Sequence, residues 1–134
     1  MKLEEFRREI IEEKYLKEWV STGIWTWNND GSVDVYGNVY IPSYSYLYPK
    51  LPVKFNKVNG NFDCAVGRLE TLENCPEEVT GYFTCTGNLI ESVKHSPKIV
   101  GENFYCQVCP VEFSKMEIRK ICKVTGKIYN KNSE

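Results

Sequence analysis

Apolar positions in the middle of the chain recur at a single offset. Cys64, Cys85 and Cys106 are evenly spaced at an offset of 21, and the same offset links Phe62, Phe83 and Phe104, then Val58, Val79 and Val100, then Leu69, Ile90 and Val111. Leu72 maps onto Val93 and Pro76 onto Pro97. The unit reads V-x-G-x-F-x-C-x-x-x-x-L-x-x-L-x-x-x-P. Gly60 and Gly81 share its glycine column, and Gly101 falls one place early. Phe and Cys at i and i+2 point to one side of a strand. The two leucine positions then turn inward over a tighter, helix-like or 3₁₀ arc. Proline closes the coil, and glycine permits the bend into the next strand. A single such coil cannot bury its apolar side, but stacked coils can. The pattern therefore predicts an α/β repeat solenoid with a short parallel sheet along one flank.

The flanks carry different patterns. Residues 2–20 read as a charged helix with Glu4/Arg8, Arg8/Glu12 and Glu13/Lys17 at i,i+4. At about 100° per residue its apolar positions split into two groups, Leu3, Phe6 and Ile10 on one side and Ile11, Tyr15 and Trp19 nearly opposite. Such a split suits a bent or frayed helix; alternatively one group docks on the solenoid and the other leaves room for a homodimer or a target. Trp25-Thr26-Trp27, the turn Asn29-Asp30-Gly31 and Val33-Asp34-Val35 predict a β-hairpin. Gly37-Asn38-Val39-Tyr40-Ile41 resembles Gly60-Asn61-Phe62-Asp63-Cys64 and opens an irregular first coil that continues through Tyr44, Tyr46 and Tyr48 to Leu51-Pro52. After the array, Ser114-x-x-Glu117 matches a capping box. Ile118, Ile121 and Cys122 give a helical face over 114–122, and Val124 to Tyr129 suggest one more strand. The expected organisation is one domain: an N-terminal helix (1–22), a capping hairpin and irregular coil (23–50), repeats (51–113) and a C-terminal cap (114–134).

Composition narrows the function classes. The 134 residues carry 17 Lys+Arg against 18 Asp+Glu, a net charge of −1, which argues against wholesale attraction to nucleic acid. The charge is uneven, however. The stretch 51–113 holds five basic and eight acidic residues, whereas Lys115, Arg119, Lys120, Lys123, Lys127 and Lys131 face only Glu117 and Glu134 in the tail. No apolar run suits a membrane span, and the charged N-terminus does not suit a signal peptide. A cytoplasmic location with reduced cysteines is the expectation. Cys64, Cys85 and Cys106 are then expected to form an internal ladder of small apolar side chains.

These motifs resemble the short leucine-rich repeats of bacterial effectors. More closely, residues 1–130 resemble a group of small proteins of tailed bacteriophages. The likeness rests on the segment Asp30–Val39, on Leu51–Cys64 with the L..L..CP..V.G.F.C copies after it, and on Phe113–Tyr129. This chain departs from that pattern at 42–48, and at Ala65-Val66-Gly67, where Asn is often found. The resemblance implies an accessory protein that binds a host protein, for example a defence factor, and inhibits or redirects it.

Catalytic and metal motifs are thin. Cys106-Gln-Val-Cys109 is a lone C-x-x-C with no second close pair. His95 is the single histidine and has no thiol near it in sequence. Glu77-Glu78 suits a solvated turn, and no phosphate-binding glycine loop is present. No enzymatic activity, cofactor or metal is expected. The outward strand positions are the candidates for protein binding: Tyr40, Asn61, Asp63, Tyr82, Thr84, Asn103 and Tyr105. Tyrosine offers large contact area with few rotatable bonds, although strands favour Tyr and Thr in any case. The alternative reading is nucleic-acid contact through the basic tail with Tyr129 for stacking.

Overall fold

A computed structural model describes residues 2–43 and 49–131; the expected tyrosine-rich part of the first coil, 44–48, lies outside them. The chain winds into a parallel β-solenoid. A hairpin of β1 (Trp25–Trp27) and β2 (Val33–Tyr36) leads into β3 (Val39–Tyr40), and the coils follow. Each coil contributes one strand to each of two sheets. The first sheet runs β1-β2-β4-β6-β8-β10, with β4 Phe55–Asn59, β6 Glu78–Val79, β8 Ile99–Val100 and β10 Lys123–Val124. The second runs β3-β5-β7-β9-β11, with β5 Phe62–Asp63, β7 Phe83–Thr84, β9 Phe104–Tyr105 and β11 Ile128–Tyr129. Every pairing except the hairpin is parallel.

The repeat sets the register. Phe62 pairs with Phe83 and Phe83 with Phe104, while Val58 pairs with Val79 and Val79 with Val100. Val35, Val58, Val79, Val100 and Val124 stack in turn. The two interior coils keep the offset of the sequence repeat, whereas the first coil is longer by two positions and the last by three. The sequence pattern suggests one sheet per coil and a helical arc. Instead the Val column forms a sheet of its own, the first sheet, and the arc through Leu69/Leu72 and Ile90/Val93 consists of turns and bends. The cause is the glycine corner. Gly60 lets the chain turn from β4 into β5 at φ +154°, so the segment before the corner is free to pair as well.

The core is one continuous column. Phe62, Phe83 and Phe104 are fully buried and stack at 5.9 and 5.1 Å between ring centroids. Burying each contributes about 2–3 kcal/mol. Cys64, Cys85 and Cys106 lie behind them as buried free thiols, as the ladder requires. Leu69, Ile90, Leu72 and Val93 close the inner side. Val111 does not join the Leu69/Ile90 column. It is 41% exposed, and Phe113 is buried instead, because the last coil is longer and has to admit a helix. That helix, α3 (Lys115–Ile121), starts at Ser114, whose Oγ accepts the Glu117 N–H at 3.0 Å, and it buries Ile118.

Two further columns are left-handed. Val66, Gly87 and Val108 share φ near +53 to +77°, and Asn74 and His95 share φ +75 and +69°. Both sets of corners recur at the repeat offset, so the left-handed turns belong to the repeat. Gly87 suits its corner and Asn74 tolerates its own, but a β-branched residue there is strained.

At the N-terminal end, α1 (Leu3–Ile11) continues through a π-helical turn (Glu12–Leu16) into α2 (Lys17–Trp19). The wide turn rotates the apolar stripe. Leu16 and Trp19 are buried and Ile11 and Tyr15 pack against the core, whereas Leu3, Phe6 and Ile10 are exposed. The helix is tied to the hairpin by Glu12, whose Oε2 accepts N–H bonds from both Trp25 and Trp27 at 2.8 and 2.9 Å. Arg8 lies over the Trp27 ring. Val20 bridges antiparallel to Val39 and so occupies the edge of the second sheet.

Two substitutions check this account by chemical denaturation. A Cβ at Gly60 would sit 2.5 Å from the Gly37 carbonyl oxygen in the coil before; Gly60→Ala is expected to cost about 2 kcal/mol or more. Val66→Asn relieves left-handed strain at an exposed site and is expected to stabilise by about 1 kcal/mol. A loss of stability on Val66→Asn would show that the valine is held by contacts rather than strained.

Candidate protein-binding face

The second sheet turns one side outward. In β3, β5, β7, β9 and β11 the register aligns Tyr40, Asp63, Thr84, Tyr105 and Tyr129. The residues two places earlier form a second outward column: Asn38, Asn61, Tyr82, Asn103 and Lys127. The sequence-predicted residues thus come together on one surface, but they do not serve it equally.

The asparagines are committed to the backbone. Asn38 Oδ1 accepts the Asn61 N–H at 2.9 Å, Asn61 Oδ1 accepts the Tyr82 N–H at 2.9 Å, and Asn103 Oδ1 accepts the Lys127 N–H at 2.8 Å. At the glycine corner the main chain bends away from its neighbour, and these side chains satisfy the N–H of the next coil. Thr84 is only 9% exposed and its Oγ1 accepts the Thr86 N–H, so it offers little surface. Asp63 Oδ1 likewise accepts the Ala65 N–H. The rest of this face is largely aromatic. Tyr82 and Tyr105 meet edge to face at 6.0 Å, Tyr105 and Tyr129 stack at 4.9 Å and 8°, and Tyr40 is 58% exposed. Partial burial, the nearby Asp63 carboxylate and Tyr105 raise the Tyr82 hydroxyl pKa, so it remains a neutral hydrogen-bonding group at neutral pH.

The thiols face the other way. A hydrogen bond to Cys75 and burial push Cys64 up, and burial pushes Cys85 up. Burial raises Cys122 to about 11. Cys64, Cys85 and Cys122 are thus shifted away from the depressed pKa of a nucleophile. The C-x-x-C has a repeat-based explanation. Asn88 is buried and its Nδ2 donates to the Cys64 carbonyl at 2.8 Å. Cys109 holds the same column one coil later, and its Sγ lies 3.9 Å from the equivalent Cys85 carbonyl. Cys109 thus occupies the Asn88 place as a weak donor. Among the described residues no group of three or more His, Cys, Asp or Glu side chains could hold a metal ion, and no helix is long and apolar enough to cross a membrane.

His95 lies away from the tyrosines, on a cleft of about 720 Å³ whose lining carries mixed charge, including Asp30, Glu73 and Glu77 with Lys54, Lys94 and Lys98. Sequence reasoning missed both the asparagine bonding and this cleft. The Asn38/Asn61/Asn103 column was visible as a repeat feature, but its bonding partners depend on the path of the neighbouring coil.

No family model, curated protein or solved structure matches this chain.

Thiol labelling tests the inward ladder. Under native conditions a maleimide is expected to modify half-buried Cys109 first and to leave Cys64, Cys85 and Cys106 intact until denaturant is added. Fast native labelling of Cys85 would contradict the buried column.

Proposed function

We propose that this protein is a non-enzymatic protein-binding module whose contact surface is the tyrosine side of the second sheet. The observation that carries the reading is the aromatic ladder Tyr82–Tyr105–Tyr129 with exposed Tyr40 beside it. Rings already held by their neighbours lose little freedom on binding, and tyrosines of this kind dominate interface energies. A solenoid presents such a surface as a rigid strip. The coil length, the inward Phe and Leu columns and the single buried Asn88 support the likeness to short leucine-rich repeats. The resemblance to small tailed-bacteriophage proteins supports a bacterial host protein as the partner, with inhibition or redirection as the outcome.

The test is affinity capture from bacterial lysate, followed by titration of the recovered protein against variants. Tyr40→Ala and Tyr82→Ala together are expected to weaken binding by about 2 kcal/mol or more, roughly thirtyfold, with the melting transition retained. Asn61 and Asn103 are left intact because their loss would act through the fold. A captured partner that binds the double variant as tightly as the wild type would place the interface elsewhere.

A further inference from the structure

The C-terminal end of the solenoid has a chemistry of its own. Lys98, Lys115, Arg119, Lys120, Lys123 and Lys127 are all exposed there, and among the described residues none lies in an ion pair. Glu117 is on the same helix, but among the described residues no cation comes within salt-bridge distance of it. The near-neutral net charge of the chain conceals this segregation, because most carboxylates lie on the earlier coils and the N-terminal helix, and only Glu102, Glu112 and Glu117 lie near this end among the described residues.

Two of the clefts that open on this end share Arg119. One, of about 370 Å³, is lined by Lys115, Arg119, Lys127, Ile128 and Tyr129. The other, of about 430 Å³, is lined by Lys98, Arg119, Lys120 and Lys123 among others. Arg119 belongs to both, so they form one track across the end of the array. The Arg119 guanidinium is fixed by donating one N–H to the Val124 carbonyl at 3.0 Å, which leaves its other donors for a ligand.

Tyr129 supplies the second element. Tyr105 stacks on one of its faces at 4.9 Å and 8°, and β11 is the last strand of its sheet. Among the described residues the aromatic ladder ends on this ring, which lines the cleft rimmed by Lys115, Arg119 and Lys127. The sheet edge adds a backbone donor. Lys127 and Tyr129 turn their carbonyls to β9, so by alternation the Ile128 N–H points out of the edge and into the same region.

We infer that this end binds single-stranded nucleic acid, one base stacking on Tyr129 and the flanking phosphates running over Lys115, Arg119 and Lys127 towards Lys120 and Lys123. A terminal aromatic ring next to a cationic track matches the two requirements of sequence-tolerant single-strand binding. A base paired in a duplex cannot reach the ring face.

The experiment is a fluorescence-anisotropy titration of the full chain with a labelled oligothymidylate at low salt. Binding is expected to weaken with salt at a log–log slope of about −3, as for roughly four phosphates on a single strand. Lys115→Glu with Lys127→Glu is expected to weaken binding by at least about tenfold and to flatten that slope. Both side chains are exposed, and a carboxylate at the first turn of α3 favours the helix, so the fold is retained. Tyr129→Leu, checked for an unchanged melting curve, is expected to cost about fivefold or more. Tyr40→Ala is expected to change nothing here, so this inference and the protein-binding reading fail separately. Three results would overturn it: no binding at low salt, tighter binding of a duplex than of the single strand, or equal binding of polyglutamate with no effect of Tyr129→Leu.

Discussion

Parallel stacking at one strand spacing, about 4.8 Å, is the constraint from which the rest of this structure follows. In a parallel array each residue sits on the equivalent residue of the coil before it, so every column must tolerate its own kind. Phe stacks on Phe, Val on Val and Cys on Cys in the interior. A column of like charges would repel itself, and the outward column of the first sheet avoids this by changing character from coil to coil. It reads Asp34, Lys57, Glu78, Ile99 and Lys123, with Asp34 Oδ1 accepting the Lys57 N–H and Lys57 within 4.0 Å of Glu78. The second sheet solves the same problem mostly with uncharged rings and asparagines, and its two charged members, Asp63 and Lys127, do not stack on like charges. Its aromatic strip is therefore a product of the stacking rule as much as of any demand for a ligand.

Self-stacking also explains what could be read from the sequence. Columns that pack on themselves leave a periodic trace, and the Phe, Cys, Val and Leu columns reveal the coil, its length and its inward side. The hairpin and the capping box of α3 are local signals and were equally legible. Features that depend on the path of a neighbouring coil left a fainter trace. The exchange of Val111 for Phe113 follows from the greater length of the last coil. The valine sheet appears only once the glycine corner is known to turn the chain sharply. Asn61 and Asn103 look like free surface groups until the next coil brings a backbone N–H to each. Cys109 looks like half of a metal pair until it is aligned with Asn88.

The two ends of the array are closed by opposite means. At the beginning, covalent neighbours do the work: the helix and Val20 cover the edge of β3, and the hairpin extends the other sheet in the antiparallel sense. At the end, a side chain does it. Arg119 takes the Val124 carbonyl that in earlier coils would accept a bond from the next turn, as Val58 and Val79 do. This device closes the first sheet with a cation and leaves the second sheet's last strand short and flanked by lysines, which discourages another chain from pairing with it. The same lysines that guard the edge give it the charge on which a polyanion can act.

The repeat gives the molecule a quantised length. The two interior coils are equal in length, and each contacts only its immediate neighbours. A duplicated segment from one valine of the column to the next would enter the stack with its Phe, Cys and left-handed corners already in phase, and neither cap would have to change. Lengthening by duplication would extend the tyrosine strip by one strand spacing, about 4.8 Å, while the helix at one end and the cationic end at the other kept their own surroundings. The chain is thus built like a ruler marked in coils, whose reach between its two ends can change by whole divisions and not by fractions of one.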